Sequence, residues 1–381
     1  MEQISSGVFG LVVGSVLGLT LSVLFEDSLK RGLSIVAVQV RQLRARGELP
    51  SPALEFRLGP VQTSLLILEG DGQQVIDEQS VRVLVDRSVV TLPDDIESLR
   101  REVQGEQERR RAEGLHAHWN GPIYAVVGLA VERIGIDESP GVCLRLRSTD
   151  YFAFLATQQL DRVLADGSTL REKYLDPYPV TSPPDFMSSS FGVYVAVVTA
   201  DRTVVVARRS GDVGAFPGYW DASANEGLSR SLDSHGRTPP SLYDVARRGL
   251  YEELSLHRSE YRLELLAFDL DRSTNQWGCM FAAFTHEVTS AELADRRTRG
   301  VPDKWEHDEV EFVPFTVENM VIYLLRADRR GFWTPAAPAL FYLTLVRQYG
   351  RVFVERHAAR ALRRLDLADR GHGYVAVPDR T

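Results

Sequence analysis

Three side chains within "ARRGLYEELSL", residues 246–256, have the types and spacing for work on a phosphate: Arg248, Glu252 and Glu253. On a helix Arg248 and Glu252 are i,i+4 neighbours, so the guanidinium can orient that carboxylate. Two adjacent glutamates at the end of a turn, joined by a loop carboxylate, supply the hard oxygen ligands that hold Mg2+. Such an ion neutralises phosphate oxygens and activates a water, which is what cleaving a diphosphate requires. The competing reading is a solvated helix end, in which the two glutamates do no more than balance Arg248.

The elements around this stretch decide whether it can be positioned. Pro239 and Pro240 end any earlier element, and Ser241 is placed to cap a helix, with Asp244 returning the bond. Leu242, Val245, Ala246, Gly249 and Leu250 then form an apolar stripe at helical spacing. Upstream, "FGVYVAVVTADRTVVVARRS" predicts a strand, a turn at Asp201 and Arg202, and a second strand. Between them lies "PGYWDASANEGLSR", a small-residue loop with one carboxylate, Glu226. Downstream, "LELLAFDLD" and "GCMFAAFTHEV" read as strands and "TSAELADRR" as a short capped segment. Two helices, "FWTPAAPALFYLTLVRQYG" and "VFVERHAARALRRLDLADR", close the chain with a stripe suited to packing.

Strand, loop and then R-x-x-x-E-E on a helix resembles the Nudix superfamily, whose signature is G-x5-E-x7-R-E-U-x-E-E-x-G-U, with U bulky and apolar. Arg248, Leu250, Glu252, Glu253 and Leu256 match it. Gly249 stands where the first helical glutamate belongs, and Ser255 where the late glycine does. Counting back from Arg248 puts Pro240 at the earlier glutamate and Ser234 at the glycine, so the loop is lengthened, with Glu226 and Gly227 as displaced equivalents. The resemblance implies a Nudix-like α/β/α sandwich binding Mg2+ or Mn2+. It implies Glu252 and Glu253 as metal ligands, Glu226 as a further ligand or base, and Arg248 as the orienting residue. "KWEHDEVEFVPFTVENMVIYLL" resembles the late Nudix strand and helix, where an acidic residue completes the metal site. Of Glu306, Asp308, Glu309 and Glu311, Glu309 is the expected ligand. Arg208 and Arg209, at a strand end, are expected to meet substrate phosphate. Glycine cannot coordinate through a side chain and costs a helix about 1 kcal/mol relative to alanine. Turnover therefore depends on Glu226 replacing what Gly249 lacks.

The N-terminal part has a different character. "GVFGLVVGSVLGLTLSVLF", Gly7 to Phe25, carries no charge and no proline, and a run of this length spans the ~30 Å hydrocarbon core. The acidic residues after it do not form a cleavage site, so a retained single-pass anchor is expected within residues 1–28. Lys30, Arg31, Arg41, Arg44 and Arg46 follow in a basic linker over 29–52, which puts the bulk of the chain in the cytoplasm. Gly10, Gly14 and Gly18 recur on one helix face, a pattern that favours a homo-oligomer.

Residues 53–185 read as a mixed α/β accessory domain, 186–330 as the Nudix-like domain and 331–381 as C-terminal helices. Within the accessory part, "LDRVLADGSTLREKYL" has a helical composition, and His116 and His118, two apart, suit a local structural role better than a metal. Net charge of −8 argues against non-specific nucleic-acid binding as the main task. Cys143 and Cys279, the only cysteines, each sit in an apolar run and are expected to be buried and reduced.

Two functions follow. One is a membrane-anchored cytoplasmic Nudix-type hydrolase cleaving a nucleoside-diphosphate-linked substrate. The alternative is a catalytically weakened nucleotide sensor, because anchor plus middle segment plus "SANEGL…RRGLYEEL" resembles the transmembrane Nudix effectors of bacterial cyclic-oligonucleotide (CBASS) anti-phage defence. Isopentenyl diphosphate isomerase shares the Nudix fold but needs a cysteine in the early loop, where this chain has none.

Overall fold

Every residue of strand β7 (Phe191–Val198) is buried, so both of its faces need cover. The computed structural model describes residues 55–371 apart from 137, 212, 235–237 and 301–306, and over these the chain is a mixed α/β fold. An eight-stranded sheet forms its centre, ordered β13-β8-β7-β12-β11-β3. Its members are β3 (Leu65–Glu69), β7, β8 (Thr203–Arg209), β11 (Tyr261–Asp271), β12 (Gln276–Thr285) and β13 (His307–Pro314). Two short strands extend it: β9 (Trp220–Asp221) pairs with β8, and β10 (Ala224–Gly227) pairs with β7. The β7–β12 pairing is parallel, while β11–β12 and β8–β13 are antiparallel.

A smaller sheet, ordered β4-β6-β5, is built from β4 (Val81–Val89), β5 (Pro122–Ile134) and β6 (Ser139–Asp150). Helix α1 (Asp94–Ala112) packs beside it on α2 (Tyr151–Thr157), burying Ile96 and Leu99 against Ala156 and Leu160. The remaining short elements are β1 (Arg57–Leu58), β2 (Val61–Gln62), α3 (Leu170–Tyr174) and α4 (Arg230–Asp233).

One face of the central sheet is covered by α5 (Leu242–Leu254), α6 (Ser290–Arg299) and the small sheet, sharing a core that includes Val193, Phe281, Leu250 and Leu144. The other face is covered by α7 (Val317–Leu324), α8 (Ala337–Tyr349) and α9 (Arg351–Gly371). Helix α8 is buried from Ala337 through Val346, which its all-round apolar sequence requires.

Most of the expected strands and helices form where the patterns put them. The stretch 160–175 does not: only Leu170–Tyr174 is helical. Asp166 accepts from the Ser168 N–H (3.0 Å) and hydroxyl (2.6 Å), and Gly167 takes φ +86°. That side-chain turn competes successfully with a helix. Leu65–Glu69, read with the accessory part, pairs with β11 at the edge of the central sheet. Both cysteines are free and buried. The anchor, the basic linker and Gly10, Gly14 and Gly18 lie outside the described residues. Among the described residues no helix is long and apolar enough to cross a membrane.

Candidate functional site

Helix α5 starts because the Ser241 hydroxyl accepts from the Asp244 N–H at 3.3 Å. Asp244 does not return the bond as expected; its carboxylate takes Arg247 at 2.6 Å instead. The helix ends at Ser255, whose backbone is left-handed at φ 52°. Ser255 thus keeps the conformation that the missing late glycine would have provided.

The helix sets its carboxylates against β10. Arg248 donates Nη1 to Glu226 at 2.7 Å and to Glu252 at 3.3 Å, Nε to Asp233 at 3.1 Å, and Nη2 to the Gly227 carbonyl at 3.1 Å. Burial works against the Arg248 charge, but Glu226, Asp233 and Glu252 outweigh it and raise its pKa. The expected i,i+4 pair is therefore one edge of a four-residue network.

Gly249 faces Glu226 directly. A Cβ on Gly249 would lie 2.5 Å from Glu226 Cγ and 3.5 Å from Glu253 Oε1. The side chain of Glu226 occupies the space that any side chain at 249 would need. Glu253 turns the other way and is buried, 1 % exposed. Its Oε1 accepts from the Asn225 N–H at 2.9 Å, and its Oε2 lies 3.4 Å from His307 Nε2.

His307 is a residue that the sequence did not single out. Burial, then the opposing pull of Asp221, leaves its imidazole down at about 4, so it is neutral near pH 7. A register shift between His307 and Glu309 on β13 opposes them to Arg209 and Arg208 respectively. Glu309 consequently stands 3.7 Å from Arg208, with its side chain 48 % exposed, rather than beside Glu252 or Glu253. The only signal for His307 was its place at the start of an apolar strand; the bulge that turns it inward has no local signature.

The two arginines of β8 diverge. Arg208 donates Nε to the Gly218 carbonyl at 3.0 Å, outside the carboxylate network. Arg209 points inward, to Asp221 at 2.9 Å and the Ala215 carbonyl at 2.9 Å. Burial pushes the Asp221 carboxyl up, yet Arg209, Thr334, Ala222 N–H and Asn225 together hold it below the usual range. Glu306 lies outside the described residues, and Glu311 is bound to Arg329 at 2.6 Å. The structure thus brings together Glu226, Arg248 and Glu252, sets Glu253 behind them, and leaves Glu309 and Arg208 apart.

Sequence comparison gives this geometry a relative. Nudix hydrolase 9 of Arabidopsis thaliana is 34% identical over 118 residues, which cover 29% of this chain and 34% of that protein. This chain is a Nudix homologue. It spans about a third of the length of that Nudix relative. No protein-family model matches. Solved structures found to be similar include a MutT protein from Methanosarcina mazei, at 14% identity over 47% of this chain and 94% of that one, with a TM-score of 0.23. A MutT Nudix hydrolase from Burkholderia pseudomallei gives 16% identity over 40% and 95%, with a TM-score of 0.25. Against the Nudix signature, Arg248, Glu252 and Glu253 keep their places on α5, and the glutamate absent at Gly249 faces one supplied from β10.

Proposed function

We propose that the chain hydrolyses a nucleoside-diphosphate-linked substrate with a divalent ion, and that Glu226 does the work of the glutamate absent at Gly249. The observation that carries this is the 2.5 Å approach of Glu226 Cγ to the Gly249 Cβ position. A carboxylate lost from the helix returns to the same place from the neighbouring strand.

Among the described residues no three His, Cys, Asp or Glu side chains converge into a ready-made metal cage. Mg2+ does not need one, because it is ordinarily held by one or two carboxylates together with substrate phosphates. Glu226 and Glu252, which share Arg248 Nη1, fit that donor set and would hold Mg2+ or Mn2+. When bound, the ion supplies neutralisation of the phosphate charge and a more acidic water. Glu226 also lines a cavity, so its carboxylate is placed to accept the proton of an attacking water. Arg248 orients Glu226 and Glu252. Glu253, sealed from solvent, acts as a positioning residue by holding the Asn225 N–H and with it the strand that carries Glu226.

Release of phosphate or nucleotide from a panel of nucleoside-diphosphate-linked compounds tests the reading, using the full chain in mild detergent with Mg2+ or Mn2+. Glu226→Gln is expected to lose about 100-fold or more in kcat, the usual share of general base catalysis. Glu309→Gln, a half-exposed control, is expected to behave as wild type. Retained activity in Glu226→Gln removes Glu226 from the chemistry.

The closed network around Arg248 supports a second reading, because its carboxylates are already balanced without an ion. In it the chain binds a nucleotide without turnover and passes the signal to an oligomerising anchor at residues 7–25, as a membrane effector of cyclic-oligonucleotide defence would. Saturable binding of a cyclic oligonucleotide by a folded chain that releases no product selects this reading over the first.

A further inference from the structure

Beside Glu226 the chain encloses a cavity of about 420 Å³, within the size range of small-molecule sites. Its walls come from stretches distant in sequence. His118, Tyr151 and Phe154 precede the central sheet, whereas Tyr194, Phe216 and Glu226 belong to its strands and loops. The rings are packed on one another: His118 and Tyr151 meet edge-on at 5.8 Å between centroids, and Tyr151 and Phe154 at 5.7 Å. A Cβ on Gly214 would come within 2.8 Å of the Tyr151 hydroxyl and 3.1 Å of His118 Cε1, so a glycine there lets the β8–β9 loop close onto them. In the same loop Phe216 is left-handed at φ 51°, a backbone that bulky residues seldom adopt.

Charge decides which end of a nucleotide belongs inside. Arg209 is the only arginine or lysine among the described lining residues, and it is engaged by Asp221 and the Ala215 carbonyl. Asp221, Asp271 and Glu226 all contribute carboxylates to the lining. Burial, then His116 and Arg110, holds the His118 imidazole below its ordinary value, so it presents an uncharged ring. Phosphate is disfavoured in such surroundings. A flat, neutral heterocycle gains from every aromatic face it meets.

We propose that this cavity takes the heterocyclic base of a nucleotide, with the phosphates left at Glu226 and Glu252, and that Tyr151 and His118 set the affinity for the base. The placing of the phosphates rests on the diphosphate-hydrolase reading; the base site does not require turnover. The segment before the central sheet is thereby part of the ligand site.

The test is a titration of the full chain in mild detergent with a chelator present, using AMP, GMP, CMP and UMP in turn, and ribose 5-phosphate. Calorimetry reports binding, as does the fluorescence of Trp119, which also lines the cavity. At least one nucleotide is expected to bind saturably and more tightly than ribose 5-phosphate. Tyr151→Ala is expected to weaken that binding about 5- to 150-fold, the range that one stacked base spans, and Tyr151→Phe to keep it. His118→Ala reads the same quantity should Tyr151→Ala fail to fold. Equal affinity for ribose 5-phosphate and every nucleotide, absence of nucleotide binding, or wild-type affinity in both alanine variants overturns the proposal. Base binding without hydrolysis removes the hydrolase reading alone; hydrolysis without base discrimination removes this one alone.

Discussion

Gly249 and Glu226 form a reciprocal pair, and the pair can be tested as one. Introducing glutamate at 249 alone places its Cβ 2.5 Å from Glu226 Cγ, and overpacking of this kind costs about 1–3 kcal/mol. Shortening Glu226 to glycine at the same time clears the space, while the helix gains about 1 kcal/mol from losing its glycine. Urea unfolding is expected to show Gly249→Glu less stable than the Glu226→Gly/Gly249→Glu double variant. A single variant as stable as the double would mean that the two side chains do not compete. His307 gives a second residue-scale expectation. In the unfolded chain its imidazole takes a proton near pH 6.5, whereas in the fold burial delays this to about 4. Its contribution to stability is therefore complete above pH 6.5 and is lost as pH falls towards 4, at up to about 1.4 kcal/mol per pH unit. Glu260, held at about 2 by Arg296, loses its contribution only below pH 4.5, outside most of that window. The stability gap between wild type and His307→Gln should accordingly narrow from pH 7.5 to pH 5. A gap that stays constant with pH would mean that His307 titrates alike in both states.

At the scale of elements, the C-terminus of α5 carries a cost that the sequence already advertised. Ser255 replaces the late Nudix glycine yet sits at φ 52°, donating its N–H to Tyr251 and accepting Arg296 Nη1 at its carbonyl at 2.8 Å. Its backbone is thus held from both sides. Ser255→Gly is expected to stabilise the chain by roughly 1 kcal/mol, the left-handed penalty less the entropy glycine adds to the unfolded state; thermal unfolding measures it, and a lower Tm would count against it. Helix α5 itself was legible, because five apolar positions at helical spacing bury one face. The strands on either side were legible for the same reason, with a period of two or a continuous apolar run. What was not legible depends on pairing between distant segments. Whether Glu309 or His307 reaches the α5 glutamates is decided by a register shift against β8, and no residue within β13 announces it. The aromatic side chains of the cavity were hidden likewise: Tyr151 opens an ordinary-looking apolar helix, and only the tertiary fold brings it to Gly214.

Across the whole molecule, the segment before residue 186 and the sheet after it share their cores. β3 forms an edge of the central sheet through four pairings with β11, from Phe268↔Glu69 to Asp271↔Leu65. Leu66, Leu68 and Ile76 from that segment are buried in the core that also holds Leu250 and Phe281, while Phe56, Leu58 and Leu65 enter the opposite core with Tyr342. Ion pairs cross the same boundary, Arg247 to Glu78 at 2.8 Å and Arg272 to Glu55 at 3.0 Å. Removing the segment would uncover apolar surface on both faces of the sheet at once and leave the backbone of β11 unpaired along its outer edge, a combination that favours aggregation over a native state. A fragment covering 186–371 is therefore expected to lose cooperative urea unfolding and near-ultraviolet circular dichroism, although every residue of the α5 network lies within it. The full chain, in contrast, should show these residues unfolding in one transition, with amide protons of β5 and β12 exchanging at the same denaturant concentration. A fragment that unfolds cooperatively at the midpoint of the full chain would show that the earlier segment contributes no stability to the catalytic part, and that its side chains reach the cavity only as a separable attachment.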